Sequence, residues 1–410
     1  MRTVARNAGL CRLYCARRKK SATTLAVMVA SLLFVTPAQA GVGWVVHGRG
    51  YGHGVGMSQW GAYGYALHGK SHGFILRHYY SGASLGKLNG TNVVRVLVDI
   101  ASGDLGFSGA TSACGVRLDR NRSYAAHRSF GAVRLRSSAG RTLAHCGTRL
   151  RAAGNGTIRI GGELFRGALE VVPTSSDAGS LNAVNAVALD QYVKGVIPNE
   201  SPPSWPMAAL RAQAIAARSF ALTGRVDGNG FDLYDDTRSQ VYEGIASEAA
   251  RANRAADETK GEVVRYGGEV AQTFFSACSG GHTESVQNVF FGPPVPYLVG
   301  VRDPYDHYCP LHTWTLRFSG AEISAKLGAY LRGQLKRVVV TKRGASPRIV
   351  WARLYGSGGV TRIRGDQLAA ALGGYDRWMT FTKLVDGKIV SGGGGDRSPG
   401  GPSGGASPNG

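Results

Sequence analysis

The chain is short of acid. Its 410 residues hold 26 Asp and Glu against 48 Lys and Arg, a formal net charge of +22. Long apolar runs are scarce as well. Only residues 25–35 form one, and no other segment is long and apolar enough to cross a bilayer. No internal repeat is present, which argues against a solenoid. A G-x-S-x-G frame is missing around Ser279, which weakens a serine hydrolase. The glycines at 48–56 lack the strand–turn–helix setting of a dinucleotide site. Residues 64–71 (GYALHGKS) fit the phosphate-loop pattern by letter only, because a predicted helix, not a strand, precedes them.

What is there begins with a leader. Arg2, Arg6, Arg12, Arg17, Arg18, Lys19 and Lys20 precede the apolar run, and Ala38-Gln39-Ala40 supplies small residues for cleavage. Residues 1–40 therefore read as a signal peptide, with an uncleaved anchor as the alternative. The protein is expected to be secreted or held in the cell wall, with no stable membrane span after cleavage. Without the seven leader cations, 41 basic residues face 26 acidic ones. That favours a polyanionic partner, the cell wall before nucleic acid, although a merely solubilising surface gives the same count. Four cysteines remain, Cys114, Cys146, Cys278 and Cys309. Nearest-neighbour disulfides are the chosen pairing. Zinc on Cys278, His282, His307, Cys309 and His312 is the alternative, although the spacing matches no strong zinc pattern.

The pattern along the chain predicts an α+β fold, mostly β. A strand at 41–47 leads into GRGYGHGVGMSQWGAYGYALHG. Its alternate glycines leave one face of an extended backbone bare, and residues 58–67 are expected to be helical. Strands are expected at 93–100, 132–135, 157–160 and 169–172, with a further apolar run at 183–189. A helix is predicted from Pro206 to about residue 223, with Met207, Leu210, Ala214, Ala217 and Ala221 as its buried stripe and Ser204 as its cap. A second helix is expected at 247–259, strands at 262–266 and 269–275 around a Gly267-Gly268 turn, a β region at 337–355 and a short helix at 366–372. Residues 386–410 read as a disordered Gly/Ser/Pro tail.

The richest stretch is GVIPNESPPSWPMAALRAQAIAARSFAL, residues 195–222. Glu200 stands at a Pro-rich bend just before a helix carrying Arg211 and Arg218 on one face. Such a carboxylate either performs acid/base chemistry or satisfies the helix dipole. Position alone favours the dipole. A helix N-terminus and nearby arginines also predict a lowered pKa, the wrong direction for a general acid, unless burial near Trp205, Pro202 and Pro203 opposes them.

The stretch 188–222 resembles the signature of the SpoIID/LytB family of bacterial cell-wall proteins. So do SQVYEG (239–244), FFSACSGGHTESVQNVF (274–290), PYLVGVRDPYD (296–306), HYYSGA (78–83) and the glycine-rich block. In the usual order GHGVGMSQWGA closes the domain, whereas here it opens the mature chain, as in a circular permutation. The resemblance implies one domain over residues 41–385, made of a permuted block (41–84), a β-rich part (85–180) and a catalytic core (181–385). It implies a lytic transglycosylase that cleaves N-acetylmuramic acid–N-acetylglucosamine bonds to 1,6-anhydro ends. Glu200 would be catalytic. Arg218, Gln240, Tyr242, His53, Ser58 and Gln59 would bind substrate or line the cleft. No metal or other cofactor is expected. Glycan strands are the partner, with a cell-wall amidase as a second. A non-catalytic glycan-binding protein or amidase enhancer is the competing reading. No second acid stands out near Glu200, Asp235 and Asp236 being the nearest, so the paired-carboxylate scheme of ordinary glycosidases is not indicated.

Overall fold

The computed structural model describes residues 41–175, 179–226, 228 and 230–392. The expected signal segment and the tail beyond 392 lie outside them. The fold is α+β and β-rich, in two compact units, one of residues 50–312 and one of residues 41–49 with 313–392. The expectation was a single domain over 41–385. The division follows from a long-range pairing: the strand Val42–Arg49 lies between Thr313–Ser319 and Trp378–Val385, antiparallel to both.

In the 50–312 unit, five helices matter for the site: α1 (Gln59–Leu67), α2 (His72–Tyr79), α3 (Leu189–Glu200), α4 (Met207–Thr223) and α5 (Ala250–Glu258). A seven-stranded sheet has Val93–Ala101, Leu181–Ala188 and Ala168–Pro173 at its middle, antiparallel in that order. A six-stranded sheet is built from short strands between residues 105 and 165. Most of the expected strands are present. The apolar run at 183–189 forms the strand Leu181–Ala188, buried along nearly its whole length, as a central strand covered on both faces should be.

α4 is apolar on more than one side. Its predicted stripe, Leu210, Ala214, Ala217 and Ala221, joins one core with the sheet residues. Ala212, Ile215 and Ala216 join another, with α2 and the glycine-rich block. A helix this apolar all round must be buried. Pro206 holds the N-cap position, with no side-chain cap, so Ser204 does not cap α4 as expected. The expected strand at 269–275 shrinks to Glu269–Val270 and Phe275–Ser276.

The glycine-rich block is not extended. Gly50, Gly52, Gly54 and Gly56 all have φ between 71° and 111°, a region open to glycine and rarely to other residues. At Gly56 a Cβ would lie 2.1 Å from the Phe274 carbonyl oxygen. The repeated glycines thus let the chain coil tightly against residues 274–284, where Tyr51 pairs with Cys278 and Val55 with Glu284.

The second unit has a four-stranded sheet and a three-stranded one. Trp44, Val46, Leu354, Ile363, Leu368 and Phe381 contribute to its core. Lys388–Gly392 is an edge strand, where a structureless tail from 386 was expected. Asp386 and Gly387, with φ of 53° and 75°, form the two-residue turn that folds it onto Trp378–Val385.

Candidate functional site

Glu200 is the last residue of α3, not a residue preceding α4. Its electrostatics are therefore the reverse of those expected. The C-terminal end of a helix carries the negative end of the dipole and disfavours an ionised carboxylate. α3 can end here because Asn199 Nδ2 and Ser247 Oγ both donate to the Gly195 carbonyl, at 2.9 and 3.1 Å. Gly195 also matters for packing, since a Cβ there would lie 2.6 Å from the Tyr242 ring.

Glu200 is 8% exposed. Gln59 Nε2 donates to Oε2 at 3.0 Å, and the Val241 amide approaches Oε1 at 3.5 Å. Burial pushes the pKa of Glu200 above its ordinary value, and these two contacts only partly oppose it. Gln59, from the glycine-rich block, is thus brought directly onto the candidate acid.

The arginines of α4 do not reach Glu200. Arg211 donates to Glu258 at 2.7 Å. Arg218 is fully buried, and its guanidinium donates to Asp190 Oδ1 at 2.8 Å and to the carbonyls of Glu262 (2.9 Å), Ala256 (3.3 Å) and Ala214 (3.5 Å). Asp190 lies in the first turn of α3. Arg218 therefore ties α4 to the far end of α3 and to the residues around α5. In that geometry Arg218 braces the packing of these helices.

Gln240 and Tyr242 lie in the loop that brings Val241 to Glu200. The loop is closed by Tyr242 N–H donating to the Asp235 carbonyl at 2.9 Å. Tyr192 of α3, which the sequence reading did not single out, donates its hydroxyl to Gln240 Oε1 at 3.1 Å. Gln240 Nε2 is buried and has no hydrogen-bond partner among the described residues. A buried, unpaired donor is costly and points to a missing acceptor. Tyr242 donates its hydroxyl to Asn185 Oδ1 at 2.8 Å and packs its ring, tilted, against Tyr192, so its polar group is committed to the scaffold. Asp235 is pushed up to about 6 by burial and then by Asp236. Asp236 is held below its ordinary value by Arg238, against a burial effect of opposite sign.

Ser58 acts from behind. Its Oγ caps α1 by accepting from Gly61 N–H at 3.0 Å and donates to Asp306 Oδ1 at 2.9 Å. Asp306 also accepts from the amides of Ser279 and Gly280 and pairs with His312 Nδ1 at 2.9 Å. Burial drives the Asp306 pKa up, but His312, Ser279 and Ser58 outweigh it and hold the carboxylate low. Its neighbour Asp303 is pushed up to about 7 by burial and by the Asp306 charge. The Cys278–Cys309 disulfide joins the two segments carrying this network, and Cys114–Cys146 forms the other expected bridge. The zinc alternative at Cys278 and Cys309 is thereby displaced. His53 is turned elsewhere: Nδ1 accepts from Val55 N–H at 2.9 Å and its ring lies near Phe274 and Phe290.

Aromatic side chains pin the segment after Glu200. Trp205 packs its ring 4.9 Å from Trp60 and 5.1 Å from Tyr63, both in α1. The same short helix thus supplies Gln59 to the acid and two rings to the chain that follows it.

The candidate site is thus a buried carboxyl at a helix end, held by a glutamine from the glycine-rich block. Residues 177–266 match the SpoIID family, described as Stage II sporulation protein. The chain is similar to an uncharacterized protein of Brachyspira hyodysenteriae, 38% identical over 42% of this chain and 46% of that one. It is also similar to two Bacillus subtilis proteins. One is named amidase enhancer (39% identical, over 33% of this chain and 18% of that protein) and the other Stage II sporulation protein D (30% identical, over 37% and 49%). The chain spans about half the length of these relatives or less. Family and relatives support a cell-wall-related role.

Proposed function

We propose that the 50–312 unit is a peptidoglycan lytic transglycosylase and that Glu200 is its single acid/base. The observation carrying this reading is the state of Glu200: buried, at a helix C-terminus, with its pKa raised and no cation among the described residues bonded to it. A general acid needs that direction of shift. Because Gln59 donates to Oε2, the proton of the neutral acid belongs on Oε1. From there it passes to the glycosidic oxygen as the bond to C1 of the muramyl sugar breaks. The carboxylate then takes the proton of the muramyl O6 hydroxyl, whose oxygen bonds to C1 and closes the 1,6-anhydro ring. The acid is regenerated and no water is consumed. Gln59 stabilises the carboxylate between the two transfers. Gln240 Nε2 is the donor available to a sugar acyl or hydroxyl oxygen, whereas Ser58, Tyr242 and Arg218 hold the frame.

The test is incubation with peptidoglycan pretreated by an amidase to strip stem peptides. Anhydro-muramyl ends are expected with the wild-type protein and are lost in Glu200→Gln. New reducing ends would mean hydrolysis instead. Binding without new ends would favour the second reading, a glycan-binding enhancer of an amidase, which the similarity to the amidase enhancer supports.

A further inference from the structure

The positive charge of the described chain is concentrated in one unit. Residues 41–49 and 313–392 hold 15 Lys and Arg against 4 Asp and Glu, while residues 50–312 hold 25 against 21. Within the smaller unit, the three-stranded sheet (Leu335–Arg343, Ile349–Gly356, Gly359–Arg364) turns Val338, Ala352, Leu354 and Ile363 into its core. Side chains alternate along a strand, so the other face is set by the cross-strand partners of Trp351, Arg353 and Tyr355. Lys342 is opposite Trp351, Arg362 opposite Arg353, and Arg337 opposite Tyr355.

Arg337, Lys342, Arg353 and Arg362 are exposed, and none has an ion-pair partner among the described residues. Arg353 and Arg362 are direct cross-strand partners, an arrangement that destabilises a sheet. Folding does not favour such a pair, and an anion laid across it would.

We propose that this sheet face binds a linear phosphodiester polymer of the cell wall, of the polyol-phosphate kind. Arginine and lysine are donors only, which matches phosphate oxygens, themselves acceptors only. A neutral glycan carries no charge to offset the Arg353–Arg362 repulsion. The two rings argue against single-stranded nucleic acid. Arg362 lies 3.7 Å over Trp351 and Arg337 4.3 Å over Tyr355, so the π-faces on which bases stack are already covered. Arg353 and Arg362 stand about 5 Å apart across strands, and Arg337 and Lys342 lie on the remaining strand of the same sheet, a spread of cations suited to repeated charges on one flexible chain. Such contacts release counterions and weaken steeply with salt.

The experiment measures binding of the purified protein to poly(glycerol phosphate), with oligothymidylate and an uncharged chitooligosaccharide as comparison probes, at low and high salt. Because it reads affinity and not turnover, it stands apart from the chemistry assigned to Glu200. Binding to the polyol phosphate is expected, weakening with salt. The double variant R353T/R362T is expected to bind roughly thirtyfold more weakly, at about fivefold per surface charge, with its Tm unchanged or raised as the repulsion is removed. R120S/R141S, which removes two exposed charges from the 50–312 unit, is expected to bind as the wild type does. Equal weakening in both double variants would overturn the proposal, since net charge alone would then suffice. Tighter binding of oligothymidylate, or no binding of the polyol phosphate, would overturn it too. If R353T/R362T fails to fold, the single variant Arg353→Gln carries the test, with a loss of several-fold expected.

Discussion

Replacing Arg218 by lysine keeps the charge and removes the fork. In the wild type the guanidinium reaches Asp190 and three carbonyls from α4, α5 and the strand Glu262–Tyr266, with two contacts under 3.0 Å. A lysine ammonium can reach one or two of these partners from the same stem. At least one charged hydrogen bond and one carbonyl contact are then lost in a fully buried place. Charged bonds contribute about 1.5–3 kcal/mol and neutral ones about 1, so the loss is about 3 kcal/mol. Against a typical stability of roughly 5–15 kcal/mol this is a large fraction, and at about 2–4 °C per kcal/mol it lowers Tm by roughly 6–12 °C. The assay is thermal melting of both proteins beside their glycan affinity at a temperature where both are folded. The expected outcome is a lower Tm with glycan affinity retained. An unchanged Tm with glycan binding abolished would refute the reasoning and return Arg218 to the substrate.

Glu200→Gln gives a second outcome through linkage. The folded pKa lies above the ordinary 4.5, so the neutral acid's contribution is full below that value and is lost as pH rises through the raised one. Glutamine has no such loss, so the variant should melt higher than the wild type at pH 7 and equally below the ordinary value. A constant difference across pH would contradict the burial argument. In the wild type, anhydro-product formation should fall as pH rises through the raised pKa, and a rate that climbs instead would sink the general-acid role. Ser58→Ala removes the α1 cap, worth about 1 kcal/mol, and one donor to buried Asp306. Melting should drop and kcat should fall more than KM changes, because Gln59 is loosened above the acid. Trp205→Ala removes a buried ring packed against Trp60 and Tyr63 and should cost about 3–5 kcal/mol by denaturant unfolding.

Much of the architecture was legible where local periodicity decided it. The stripe on α4 and the strand expected at 93–100 follow from spacing, whereas the cap role of Ser58 was not read from the sequence, which placed the residue in the cleft. The helix polarity around Glu200 was not legible. Pro198 and Pro202 frame the acid as a bend, yet Pro198 is tolerated inside α3, so the helix runs on to Glu200 itself. The sign of the dipole hangs on that one turn. The role of Arg218 was hidden for a different reason. Its partners are Asp190, 28 residues before it, and carbonyls more than 37 residues after it, and no sequence pattern announces a buried guanidinium. The two-unit division was hidden too, since it rests on a strand pairing between residues 42–49 and 313–319.

The wall around Glu200 shows why the glycine-rich block belongs with a lone acid. A carboxyl that must give and then take a proton needs a raised pKa but also one fixed donor to steady its charged form. Burial supplies the first and Gln59 the second. Gln59 starts a helix only nine residues long, too short to hold its place by its own bonds. It is held instead from behind, by Ser58 on a buried Asp306 that two amides and His312 keep ionised, and from the side by Trp60 and Tyr63 on Trp205. Charge is thus kept under the helix start, where the dipole favours it, and away from Glu200, where it would set the pKa wrong. The tight glycine turns before α1 bring both ends of that arrangement within reach of one short helix.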